Sequence, residues 1–110
     1  MGVEATTYVF QGIRLPFISN PDWEKKIEPY YELGPFDRES RAGLSVISDG
    51  MNGSYCMIGY VLAKAIESEG LPFTICKSKG KERIAKEIND AFKLKVSPDE
   101  IRIYAFTHYT

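Results

Sequence analysis

The run Ser54-Tyr55-Cys56-Met57-Ile58-Gly59-Tyr60-Val61-Leu62-Ala63-Lys64-Ala65-Ile66-Glu67-Ser68-Glu69-Gly70 decides how this chain is read. Tyr55, Ile58, Leu62 and Ile66 recur at intervals of three and four residues, the period of one helical face. Ala63-Lys64-Ala65-Ile66-Glu67 is good helix sequence. Ser54 suits an N-cap, and Gly70 suits the position just past a helix C-terminus. The alternative is that Tyr55 to Leu62 forms the second arm of a hairpin. The segment is long for a strand, so the helix is the reading adopted, from Ser54 to about Glu69.

Working outward, Leu44 to Ser48 reads as a short strand and Leu71 to Cys76 as a buried one. With the helix between them they make a βαβ unit, which requires parallel strands and a right-handed crossover. Ala5 to Leu15 is rich in Thr, Tyr, Val, Phe and Ile and reads as a strand with apolar groups on both faces. Asn20-Pro21 is an N-cap followed by proline at the first helical position. Trp23, Ile27 and Tyr30 or Tyr31 give that helix its stripe, and Pro29 ends or kinks it. Glu32 to Gly43 reads as a long exposed loop. A further helix is expected from about Lys81 to Leu94, with Ile84, Ile88, Ala91 and Phe92 inward and Glu82 paired with Lys86. Ser97-Pro98-Asp99-Glu100 has the capping-box pattern, and Ile101 to His108 is the last strand. The expected fold is one α/β domain spanning residues 1–110. Its order is β-α-β-α-β-α-β, with a four-stranded mixed sheet and about three helices.

The bulk properties fit this reading. The chain has 110 residues, 44% hydrophobic and 26% charged, with a net charge of −1. One domain of this size buries a real core, and no global field steers it to nucleic acid or an anionic membrane. No apolar run approaches the roughly 20 residues of a membrane span. Met1 to Phe10 lacks the basic start and apolar stretch of a signal peptide, so a cytoplasmic location is expected. Gly2 and Thr6 match the loose myristoylation pattern, without the nearby polybasic patch that a stable anchor needs. Asn52-Gly53-Ser54 is a glycosylation sequon that carries no meaning in the cytoplasm.

Chemistry has few places to sit. Asp49-Gly50-Met51-Asn52-Gly53-Ser54 leaves a strand and, on the helix reading, opens a helix. Open α/β sheets bind ligands at such points. Asp49, Gly50, Asn52, Gly53 and Ser54 are therefore the candidate ligand-binding residues, for a small anionic molecule at free N–H groups. The run is neither a dinucleotide fingerprint nor a Walker loop. Cys56 and Cys76 form no CxxC motif and read as buried, reduced thiols. Together with His108, the sole histidine, they show none of the local pairing of a zinc site, and no metal or cofactor is expected. A Cys–His nucleophile would need His108, which lies two residues from the chain end. No catalytic residue is assigned, and Glu67 and Glu69 read as solvated. Lys77, Lys79, Lys81, Arg83 and Lys86 make a local basic run without interleaved aromatics, so nucleic acid is not the expected partner.

The aromatic count points elsewhere. Seven tyrosines and one tryptophan are many for this length, and tyrosine is favoured at interfaces. Tyr30, Tyr31, Tyr60 and Tyr109 do not all fit the core stripes and are the candidate contact surface. The function expected is a small binding or regulatory protein, more a binder than an enzyme, acting through contacts with another protein or with itself as a homodimer. The alternative is a small-molecule or anion binder, or a small enzyme, using the Asp49–Ser54 loop.

Overall fold

The computed structural model describes residues 5–32, 43–50, 54–66 and 80–109. Its elements run β1 (Ala5–Pro16), α1 (Pro21–Ile27), β2 (Ser45–Asp49), β3 (Tyr55–Ile66), α2 (Lys81–Phe92) and β4 (Arg102–Tyr109). The strands form one sheet in the order β2-β3-β1-β4, and every neighbouring pair is antiparallel.

This overturns the β-α-β-α-β-α-β order, the mixed sheet and its three helices. The decisive segment, Tyr55–Ile66, is a strand and not a helix. It lies between β1 and β2, and both of its faces are covered. Cys56, Ile58 and Tyr60 point to one side, and Tyr55, Met57 and Val61 to the other. A strand buried on both faces is apolar at nearly every position, so a helical stripe can be drawn through it as easily as an alternation. The βαβ unit is instead a β2–β3 hairpin in register from Ser45–Gly59 to Asp49–Tyr55. The strand expected at Leu71 to Cys76 and the glycine stop at Gly70 lie outside the described residues.

The other elements follow local chemistry. The Asn20 side chain accepts from the backbone N–H groups of Asp22, at 2.9 Å, and Trp23, at 3.2 Å. It thereby satisfies donors that open the helix. Pro21 follows it, and the α-helix gives way at Glu28–Tyr30 to a 3₁₀ turn containing Pro29. In α2 the inward residues are Ile84, Ala85, Ile88 and Phe92. Lys93 ends it in the left-handed region, at φ 58°. Its ion pairs differ from the expected Glu82–Lys86 pair: Arg83 meets Glu87 at 3.0 Å, and Lys86 meets Asp90 at 2.9 Å. The Asn89 side chain clamps the following turn, accepting from Val96 N–H at 2.7 Å and donating to Val96 C=O at 2.9 Å. The Ser97 N–H donates to the Glu100 carboxylate at 3.2 Å, closing the capping box.

Two cores result. The helices cover one sheet face with Ile27, Ile84, Ile88 and Phe92 packed on Ile13, Val46, Cys56, Ile58 and Tyr60. The opposite face carries Tyr8, Phe10, Ile47, Tyr55 and Met57, flanked by Val61, Tyr104 and Phe106. That second face is concave. In register, Tyr55 stands beside Pro16 and His108 beside Thr6. Those β1 positions are ten residues apart, about 33 Å on a straight strand. Yet the Tyr55 hydroxyl lies 2.7 Å from His108 Nδ1. The sheet therefore curls until its two ends meet across its inner face. Among the described residues, no helix is long and apolar enough to cross a membrane.

Candidate functional site

Strand alternation selects the side chains that line the trough. On β1 the even positions Thr6, Tyr8, Phe10 and Arg14 face it, and on β4 so do Tyr104, Phe106 and His108. The register slips between Val9 and Phe10, where Leu62 is the extra residue of β3. Such a bulge reverses the faces beyond it. Lys64 is consequently opposite Tyr8 and on the same face.

Phe106 is the hub of an aromatic cluster. Its ring stacks on Tyr8 at 5.6 Å between centroids. It meets Phe10 edge-on at 6.1 Å and Tyr55 edge-on at 5.6 Å. The Tyr55 ring also meets His108 edge-on at 6.0 Å and lies 6.0 Å from the Arg14 guanidinium carbon.

Polar groups sit on this apolar floor. Burial first, and then Asp49, its neighbour across the hairpin, push the Tyr55 phenol up to about 12 against the opposing pull of Arg14. The phenol therefore keeps its proton at neutral pH. We assign that proton to the hydrogen bond with His108 Nδ1, which leaves Nε2 as the protonated nitrogen of a neutral ring. Burial holds His108 below the usual 6.5, and Asp49 opposes that shift. Thr6 lies directly across from His108, and its Oγ1 is buried with no hydrogen-bond partner.

Further along, Lys64 Nζ and Glu32 Oε2 are 3.4 Å apart, each side chain only 4% exposed. Burial and the Glu32 charge together raise Tyr8 well above the ordinary tyrosine range. Glu32, expected on an exposed loop, is thus part of the interior, and residues 33–42 of that loop are outside the described region.

The expected ligand loop fares differently residue by residue. Asp49 ends β2 with its side chain buried in the trough. Gly50 lies against the Phe17 ring, where a Cβ would come within 2.7 Å of it. Ser54 is exposed at φ 51° just before β3. Asn52 and Gly53 lie outside the described residues. Because a strand follows, no helix N-terminus stands there to hold an anion, so that premise falls.

Of the four tyrosines, Tyr30 and Tyr60 pack inward and do not form a contact surface. Tyr30 packs edge-on against Phe92 at 5.0 Å, in the helix-side core. Tyr60 is buried in the same core and donates to Glu87. Tyr31 is 44% exposed, and Tyr109 ends β4. Cys56 is fully buried on the helix side, opposite to His108, and burial pushes its thiol up to about 11. That geometry excludes a Cys56–His108 dyad. Cys76, Glu67, Glu69, Lys77 and Lys79 fall outside the described residues. Among the described residues, no three His, Cys, Asp or Glu side chains cluster closely enough to hold a metal ion.

Sequence reasoning missed Thr6, Tyr8, Arg14, Tyr55, Glu32 and Lys64 as a group. The signal was period-two alternation: Thr6 and Tyr8 on one strand, and Phe106 and His108 on another, share faces. Lys64 within an apolar run was a second sign, since a buried lysine demands a partner. No protein family, curated protein or solved structure matches the chain.

Proposed function

We propose that this domain binds a small planar molecule in the trough of its curled sheet. The observation that carries the reading is the buried, unpartnered Thr6 hydroxyl directly across from the Tyr55–His108 pair. A polar group of this kind normally finds a partner. We infer that a ligand acceptor seated beside His108 supplies that partner. Phe106, half-buried, offers a ring for stacking. Arg14, exposed beside Tyr55, would favour a ligand bearing a negative group at the mouth. Ligand sites typically combine an apolar lining with a few convergent polar groups in this way. We place the protein in the cytoplasm, a reading supported by the reduced, buried Cys56. We assign no catalytic step.

Benzoate and indole, one anionic and one neutral planar probe, test the proposal. Each is titrated while the ring resonances of His108 are followed by NMR. Saturable shifts that weaken in Thr6→Val, together with a binding heat that falls in His108→Gln by titration calorimetry, support the trough. Benzoate binding more tightly than indole supports the role of Arg14. Absence of saturable shifts with either probe overturns the reading.

A further inference from the structure

We propose that β4 pairs with the β4 of a second copy of this chain, antiparallel about a two-fold axis, joining two four-stranded sheets into one. The sheet has two edges, β2 and β4, and they are treated differently. Tyr31 bridges to Val46, and the Glu32 N–H donates to the Val46 carbonyl at 3.0 Å, so the chain itself straps the outer side of β2. Among the described residues, no such strap lies along β4. Its pairing with β1 runs from Ala5–Tyr109 to Gly12–Arg102 without a slip, so its outward N–H and C=O groups are regularly spaced. Edge strands are normally protected by proline, lysine or a bulge. The segment Arg-Ile-Tyr-Ala-Phe-Thr-His-Tyr contains no proline or lysine, and Arg102 is its one fixed charge.

The occupant follows from this composition. An antiparallel edge is self-complementary about a two-fold, the commonest symmetry of homo-oligomers. With one fixed charge on the strand and a net charge of −1 on the chain, two copies approach without appreciable repulsion. An axis normal to the sheet keeps like faces together. Tyr104 and Phe106 then continue into the partner's Tyr104 and Phe106, forming the aromatic cross-strand pairs that stabilise sheets. On the other face, Ile103 is 59% exposed, and Ala105 and Thr107 are also exposed. Thr107 meets Thr7 at 3.2 Å within one copy, whereas the exposed Ile103 and Ala105 gain cover in the dimer. Phe106 and His108 of β4 also serve the ligand reading, but Ile103 and Ala105 on the opposite face do not, so substitutions there test the interface separately.

Sedimentation velocity across a dilution series tests it. The wild-type chain is expected to sediment at twice the chain mass and to dissociate on dilution. Ile103→Lys is expected to sediment as a monomer with an unchanged far-ultraviolet circular dichroism spectrum, since Ile103 is exposed within one copy. Ala105→Lys, at another exposed position, should do the same and serves if the first variant does not fold. A wild-type monomer at the highest concentration overturns the proposal, even if the edge captures a foreign strand. So does a dimer that survives both lysine substitutions.

Discussion

Gly12 and Gly59 stand opposite each other in adjacent strands, and neither has room for a Cβ. One built on Gly12 would run into the Ile58 carbonyl oxygen and come within 2.7 Å of Gly59 Cα. One built on Gly59 would meet the Gln11 carbonyl oxygen and lie 2.6 Å from Gly12 Cα. The two backbones approach more closely here than side chains would permit, at the middle of the longest strand pair. Together with the bulge at Leu62, this gives β1 and β3 their bend. The trough depends on that bend.

Gly59→Ala is therefore expected to destabilise the fold by about 3 kcal/mol, the upper end of the usual overpacking range, because the obstacle is backbone and not a movable side chain. Urea unfolding checks it. A change below about 0.5 kcal/mol, the range of an ordinary surface substitution, would show that the close approach is relieved freely.

The buried Lys64–Glu32 pair makes a second prediction. Lys64→Met removes the ammonium that faces the buried Glu32 carboxylate and should cost about 3–5 kcal/mol, as removal of one buried partner does. Adding Glu32→Leu should restore most of that stability, because the double variant removes both charges of the pair. A double-mutant cycle by chemical denaturation measures the coupling. Single variants as stable as the wild type would mean the pair is solvated.

His108 predicts the pH dependence. Its folded-state value lies below 6.5, so the unfolded chain binds the proton more readily. The stability contributed by the neutral ring is present above pH 6.5 and lost as pH falls through the folded value. His108→Gln should flatten this part of the stability–pH curve and leave the neutral-pH plateau in place. Thermal melts from pH 7.5 to about pH 5 check it, around the ordinary histidine range. An unchanged slope in the variant would place the responsible group elsewhere.

Cys56 should be inert as a nucleophile. Its thiol is buried and pushed up to about 11, and the thiolate is the reactive form. In a Cys76→Ser background, native protein should react with a thiol reagent many times more slowly than protein in denaturant. Rapid native labelling at neutral pH would show that the site opens.

Some of this fold is local and was legible in the chain. Asn20-Pro21 opens α1 because the side chain and the ring satisfy the first turn wherever the helix later packs. The stripe of α2 and the box at Ser97–Glu100 are equally self-contained, and the two-faced apolar character of β1 was visible in Tyr8, Phe10, Ile13 and Leu15. The segment from Tyr55 to Ile66 was different. Its apolar residues satisfied both periods, and only pairing with β1 and β2 decided between them. A hydrogen-bond ladder is made with residues far away in sequence, and hydrophobicity alone does not encode that choice. The site belongs to the same category. Asp49 was singled out for a helix terminus that does not exist, and His108 for a cysteine on the other side of the sheet. They stand beside Tyr55 and Thr6 because a glycine pair and a one-residue bulge curl the sheet, bringing together residues that lie at its far ends.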